Sequence, residues 1–383
     1  MRKLFLTLFL CLCLSYTFAQ GFYNKGSIVS VSSQTILTVP DSLVNTGTLI
    51  NNGDLRISGA WINSGTYDAG SGEITFNSDL VQTINHNDQS FGKLTISGTG
   101  EKQFLANITI ESELDLQSSV LKSENGAKII LNQGAVVIGG SDQSHVVGPV
   151  EAKGAGDWLF PIGNGTTFLP VEITNVTDAN AIVTLTLHEL TSAEALTGEV
   201  EIGKLSSKRY WELVLGAGNL NQSKIKLPLS DEDGLTDNLD LLIVAGSNTA
   251  TGPYASLGQS ARTGDLTSGS VTSEKAPVIT FLTAAALTGE RGIEVFNGVS
   301  VTQDGQNDWM KIRNIELYPS NKVAVFNRWG DKVFEMSAYD NNQKAFRGES
   351  NINGNNKLPG GTYFYSIDLG DGSPKTTGYL QIK

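Results

Sequence analysis

The 383-residue chain reads as an all-β protein, and three observations carry that reading. Glycine recurs every six residues near the N-terminus. Alternating apolar and polar residues, bounded by turn residues, fill the middle and the end. No long stretch keeps the 3.6-residue apolar period of a helix, the short Ala193-Glu-Ala-Leu196 piece being the nearest. A charged fraction of only 17% and 42 glycines fit many short strands joined by tight turns. The length leaves room for two to four domains, each with its own core.

The N-terminus begins Met1-Arg-Lys3, continues with the apolar run Leu4–Leu14 and reaches Thr17-Phe-Ala19 before Gln20. A cationic start, an apolar stretch too short to span a bilayer and small residues at its end predict a secretory signal peptide over 1–19, cut between Ala19 and Gln20. The competing reading is a buried strand. Cys11 and Cys13 both fall inside this leader, and neither follows a small residue as a lipid-anchored cysteine would. The exported chain is then expected to contain no thiol and no disulfide. Loss of the two cations Arg2 and Lys3 takes the net charge from −12 to −14. From Asn297 onward ten Lys and Arg oppose nine Asp and Glu, so the acidity lies between Gln20 and Phe296. An acidic surface repels nucleic acid and anionic lipid, which excludes nucleic-acid binding.

Residues 20–145 are expected to form a β-solenoid-like repeat region. Gly47, Gly53, Gly59 and Gly65 are spaced by six, and two residues after each comes Leu49, Leu55, Trp61 or Tyr67. Asn45, Asn51 and Asn63 precede three of these turns. A glycine turn followed by one inward apolar residue at fixed period is how one coil stacks on the next. A meander of short hairpins meets the same spacing. Strand-sized pieces at Glu73–Phe76, Lys93–Ile96, Asn107–Ile110, Glu113–Leu116, Lys128–Leu131 and Ala135–Ile138 continue the region to about Gly140. Ser144–Val150 then reads as a cap or as the start of the next domain.

Longer alternating strands mark 146–288 as a central β-sandwich of immunoglobulin-like kind. They are Ala181–Leu187, Arg209–Leu215, Lys224–Leu227, Leu239–Val244 and Pro277–Leu282, with Trp211 as core anchor or, alternatively, ligand platform. Leu287–Gly292 is the linker.

In 289–383, Val323 and Val325 alternate with Ala324 and Phe326 in a strand covered on both sides. Asn327-Arg328-Trp329-Gly330 turns the chain, and Lys332–Phe334 returns. Leu358-Pro359-Gly360-Gly361 is a second turn, before a strand with Tyr363, Tyr365, Ile367 and Leu369 on one face. Gly370–Pro374 is a hairpin loop and Gly378–Lys383 the last strand, together an immunoglobulin-like β-sandwich. The motifs Ile293–Ser300, Asp304–Asp308, Tyr318-Pro319, Phe326–Gly330, Val333–Glu335, Leu358–Tyr365 and Asp371-Gly372 follow one another in order. In them this segment resembles the gliding-motility-associated C-terminal domain, the type B sorting domain of the Bacteroidetes type IX secretion system. It departs from the family at Val301-Thr-Gln303, usually Pro-Asn-Gly, and at Phe346-Arg347-Gly348, usually Trp-Asp-Gly. The resemblance implies export through the outer-membrane type IX translocon and retention by a PorP/SprF-type outer-membrane barrel. It also implies recognition through Asn327, Arg328, Trp329, Gly330, Leu358, Pro359, Gly361, Tyr363, Tyr365, Gly378 and Tyr379. Trp329 reads either as half of an exposed Arg-Trp recognition pair or as a lid folded onto Phe334.

Signs of catalysis are few. His86, His145 and His188 stand apart without a second ligand at metal spacing and read as surface or loop residues. There is no nucleophile elbow, phosphate loop or His-Glu-x-x-His helix. Two acidic clusters offer oxygens to calcium, Asp231–Asp237 and the Asp304 loop with Asp304, Asn307 and Asp308, although both suit solvated turns as well. No other cofactor is indicated. The expectation is a non-catalytic cell-surface or secreted protein, an adhesin or a structural part of the gliding apparatus. The alternative is a polysaccharide-binding or polysaccharide-degrading protein, with Trp61, Tyr67 and neighbouring Asn side chains lining a groove for a surface glycan.

Overall fold

The computed structural model describes residues 21–191, 194–235, 238–288, 293–302, 307–352, 354, 356–371 and 373–383, so the signal peptide with its Ala19–Gln20 junction lies outside the described residues. The protein is all-β and separates into two compact units, Met1–Asp237 with Ile243–Ala286, and Asn238–Leu242 with Leu287–Lys383.

The first unit opens as a parallel β-solenoid of seven turns. Each of the first three turns has three strands: β1 Phe22–Asn24, β2 Ile28–Val31 and β3 Ile36–Val39; β4 Leu43–Asn45, β5 Thr48–Asn51 and β6 Asp54–Ile57; β7 Trp61–Asn63, β8 Thr66–Asp68 and β9 Glu73–Phe76. The six-residue period is therefore one face of a three-sided coil. Gly47, Gly53 and Gly59 are the corners around the second turn, and Gly65 stands one 18-residue turn after Gly47. These glycines have no positive φ. Close approach selects them: a Cβ on Gly65 would lie 2.1 Å from the Gly47 carbonyl oxygen, and one on Gly47 would lie 2.3 Å from that of Ser27. Leu49, Leu55, Trp61 and Tyr67 point inward and are buried.

Asparagines hold the corners together. The Asn24 amide donates to Asn45 Oδ1 at 2.8 Å and the Asn45 amide to Asn63 Oδ1 at 2.7 Å, all three being buried. Such a ladder satisfies the polar groups that each turn brings inside.

Later turns have two strands on the main faces: β10 Gln82–Asn85 and β11 Ser90–Ile96; β12 Lys102–Phe104 and β13 Ile108–Leu116; β14 Leu121–Ser123 and β15 Ile129–Leu131, with β16 Val136–Gly139 beside β13; and β17 Val146–Val147 with β18 Val150–Lys153. The third sheet ends at β8, and the long β11 and β13 bend around its corner, where their register slips between Phe91 and Lys93. The Ser144–Val150 stretch is thus part of the last coil.

β18 pairs in parallel with β15 and antiparallel with Ile182–Glu189. The sheet that began at β3 runs on through Arg209–Ala217, Phe281–Leu287 and Leu242–Ser247. A second, five-stranded antiparallel sheet contains Gly156–Phe160, Val171–Val176, Lys224–Pro228, Ser270–Thr272 and Ala261–Thr263. Each sheet buries alternate residues, among them Val183, Leu185 and Trp211 in one and Phe160, Ile173 and Leu227 in the other. Trp211 is fully buried, which removes its reading as a ligand platform.

In the second unit a five-stranded sheet runs in the order Gly298–Val299, Thr376–Ile382, Gly361–Asp368, Lys322–Phe326, Lys332–Ser337. Val323, Val325, Tyr363, Tyr365 and Ile367 cluster with Met310, Ile312, Tyr339 and Phe346. That covering layer consists of the ribbon Glu294–Val295 with Ile312–Arg313, a 3₁₀ turn at Ile315–Leu317 and the segment bearing Tyr339 and Phe346. Only one face of Lys322–Phe326 is fully buried, since Ala324 and Phe326 stay partly exposed. The last strand lies inside the sheet, between Gly298–Val299 and Gly361–Asp368.

Candidate functional site in the C-terminal module

The hairpin tip between Lys322–Phe326 and Lys332–Ser337 is built by one side chain. Asn327 Oδ1 accepts the N–H groups of Trp329 at 3.0 Å and Asp331 at 2.9 Å, while its amide donates to Asp331 Oδ2 at 3.0 Å. Gly330 takes φ +87°, the left-handed conformation the turn needs. Arg328 and Trp329 are left projecting. Trp329 is 72% exposed, and the Arg328 guanidinium lies 4.2 Å from its ring centre. The lid reading is therefore corrected: Phe334 packs edge-on against Phe346 in the core, and Trp329 stands in solvent.

The second turn is tied to the core strand that follows it. Gly361 has φ +152°, and the Tyr363 hydroxyl donates to the Pro359 carbonyl at 2.9 Å. Leu358 N–H donates to the Gly348 carbonyl at 2.9 Å. Tyr363 and Tyr365 lie in the core, so of the predicted recognition residues these two fix the sheet from inside. Tyr365 faces Gly378 across the strands, and a Cβ there would lie 2.3 Å from the Tyr365 hydroxyl oxygen. Tyr379 points the other way and is 58% exposed, opposite Phe364 at 48%. Phe326 pairs with Phe364 from the other side, so three aromatics cross three adjacent strands on the outer face. Sequence reading missed Phe364 as a surface residue. Its signal was the phase of the Thr362–Leu369 alternation, which puts position 364 opposite Tyr363 and Tyr365.

Elsewhere the structure moves several expected residues inward. His86 and His145 are fully buried, against the surface reading. Trp61 Nε1–H donates to His86 Nδ1 at 3.1 Å, and the imidazole stacks on Phe91 at 3.7 Å. Desolvation holds His86 down at about 4. His145 Nε2 accepts the Gly165 N–H at 3.0 Å, and burial lowers this ring's pKa too. His188, partly exposed, lies 3.0 Å from Glu212. Trp61 and Tyr67 meet edge to face inside the coil, and Asn45 and Asn63 belong to the internal ladder, so these residues line no groove.

The first acidic cluster is organised by an internal ion pair. Asp233, buried, sits 3.1 Å from the buried Arg209 guanidinium and accepts from the Ser206 hydroxyl at 2.6 Å and the Ser230 N–H at 2.9 Å. Asp231 and Glu232 fill a capped 3₁₀ turn. In the second cluster Asn307 takes φ +56° and its carbonyl accepts the Ser300 N–H at 2.7 Å, next to Asp308; Asp304 lies outside the described residues. Among the described residues, no three His, Cys, Asp or Glu side chains converge as a metal centre would require.

No curated protein and no solved structure matches the chain. Residues 293–382 match the family model of the CHU_C type IX secretion signal domain. That span takes in the five-stranded sheet, the Arg328–Trp329 tip and the outer aromatic row. The C-terminal segment is therefore a type IX secretion signal domain, which makes this chain a cargo of the type IX machinery bound for the cell surface or the extracellular space.

Proposed function

We propose that the protein is a non-catalytic surface adhesin, or a structural part of the gliding and surface apparatus, held at the outer membrane by a PorP/SprF-type barrel. The observation that carries this reading is the division of labour along the solenoid. From its second turn onward its large inward side chains are packed, so its exposed chemistry along the coil is the outward face of parallel strands. There the register stacks like positions in columns: Asp54, Glu73, Lys93 and Glu113 in one, Arg56, Thr75 and Asp115 in the next, where Thr95 is covered and donates to Glu73. A flat lattice of polar groups at strand spacing favours contact with an extended surface over capture of a small molecule in a pocket. The same columns favour polysaccharide as the second reading, with any glycan lying on this outer face.

Attachment is the test. A strain lacking the protein should bind polysaccharide-coated glass less than its parent, and adding the purified full chain should restore or competitively block attachment. Unchanged attachment would count against the adhesive role. A glycan array probed with the full chain separates the readings: saturable binding favours the glycan, and cleavage products overturn the non-enzymatic assignment. Recovery of a barrel with tagged protein from outer membranes tests the retaining partner.

A further inference from the structure

Among the described residues the solenoid is closed at one end and open at the other. At the last turn, Val146 N–H donates to the Pro161 carbonyl at 2.8 Å, Gly163 N–H to the Val146 carbonyl at 2.9 Å, and β18 continues into Ile182–Glu189. At the first turn no described residue plays that part. Phe22, Val29 and Leu37 hold the inward positions that Leu43, Leu49 and Leu55 hold one turn later. The later three are fully buried, and the first three are partly exposed. Phe22, Leu37 and Val39 line a pocket of about 230 Å³ in this open end.

Three strand edges surround it. The Phe22 N–H and the carbonyls of Asn24, Ser27, Val31, Thr35 and Val39 bond to the second turn. By the alternation of a parallel ladder, the peptide groups of Tyr23, Ile28, Ser30, Ile36 and Thr38 face away from it. Uncovered edges beside exposed apolar residues are a template for strand pairing.

We propose that this open turn is an association surface whose partner is the first turn of a second copy of the chain, the two coils meeting end to end about a two-fold axis. Three edges arranged around a core can all be paired at once only by a coil of the same cross-section. A two-fold axis across the coil reverses the strands, so every new pair is antiparallel: β1 meets its own counterpart at Tyr23, and β2 meets the other copy's β3. β2 and β3 suit each other, being Ile-Val-Ser-Val and Ile-Leu-Thr-Val with the same pattern of exposure. The charges agree as well. Lys25 and Asp41 are the only charged residues between Gly21 and Ser42, and they flank opposite ends of the β1 face. The two-fold axis sets Lys25 of each copy towards Asp41 of the other, and this turn escapes the acidity that repels copies elsewhere.

The test uses the full secreted chain. Sedimentation over a range of concentrations should show reversible conversion to a dimer. The described chain contains no cysteine, so Tyr23→Cys supplies a single thiol that a short bismaleimide should join across the axis. Val136→Cys, exposed on β16, should give no cross-link. Lys25→Glu and Asp41→Lys should each raise the dimer Kd roughly tenfold, and the two together should bring it back to within roughly threefold. A single-chain mass at every concentration overturns the proposal, as does cross-linking that is equal at both cysteines or a Kd unmoved by the reversals. Circular dichroism of each variant establishes that the coil is still folded.

Discussion

Acid should loosen the solenoid through one histidine. In the folded chain His86 is wedged between Trp61 and Phe91, and accepting the Trp61 N–H at Nδ1 places the neutral ring's proton on Nε2. Protonating Nδ1 would set two N–H groups against each other in the core. The folded pKa is accordingly depressed from 6.5 to about 4, chiefly by desolvation. A histidine depressed on folding costs nothing above its unfolded pKa, where both states are neutral. As pH falls from 6.5 towards 4, the unfolded chain takes up a proton that the folded one refuses, and stability drops. Integrated over that window the loss is about 3 kcal/mol. His86→Gln keeps an acceptor for Trp61 but does not titrate. Urea unfolding at pH 7.5 and at pH 4 should show wild type losing about 3 kcal/mol more than His86→Gln. His145, lowered in the same direction, contributes equally to both chains and cancels. Identical losses in the two proteins would refute the reasoning.

Other substitutions follow from named contacts. Gly65→Ala drives a methyl to 2.1 Å from the Gly47 carbonyl and should cost roughly 1–3 kcal/mol, whereas Gly298→Ala, with open space around it and no positive φ, should be near neutral; calorimetry compares them. Asp233→Ala removes the nearer carboxylate from the buried Arg209, leaving it the more exposed Glu232 at 3.7 Å, and should cost about 3 kcal/mol by denaturant titration. Trp329→Ala, at an exposed tip, should leave stability within about 0.5 kcal/mol yet reduce surface display, read by labelling intact cells. Deleting Thr376–Lys383 removes a strand from inside the sheet and should hold the protein in the periplasm.

Much of the coil was legible because its determinants are local. Six-residue glycine spacing followed by one inward apolar residue encodes a face and a corner, and both are met again one turn later at Gly65 and Tyr67. The C-terminal strands were legible for the same reason, since period-two alternation at Tyr363, Tyr365 and Ile367 names the buried face directly. What stayed hidden depends on partners far along the chain. The Asn24–Asn45–Asn63 ladder joins residues 18 and 21 apart, so single asparagines read only as turn formers. His86 reads as polar until Trp61, 25 residues earlier, is seen to supply its hydrogen bond. Asp233 looks like a calcium ligand until Arg209 is placed beside it. Trp61 and Tyr67 were named correctly as the apolar members of the repeat, and the glycan groove failed because the same positions cannot point both inward and out. In the sorting module, the outer aromatics Phe364 and Tyr379 were obscured by neighbouring aromatics that belong to the core.

Residues 293–382 match a secretion signal domain, and export is what that match predicts for them. The most direct measurement joins 289–383 to a leader-bearing fluorescent protein, in cells that possess a type IX system, and asks whether external protease reaches the reporter. Intact cells should expose the reporter to protease, and removal of Thr376–Lys383 should leave it in the periplasm. A reporter that stays protected in the periplasm with the whole segment attached would contradict that export role.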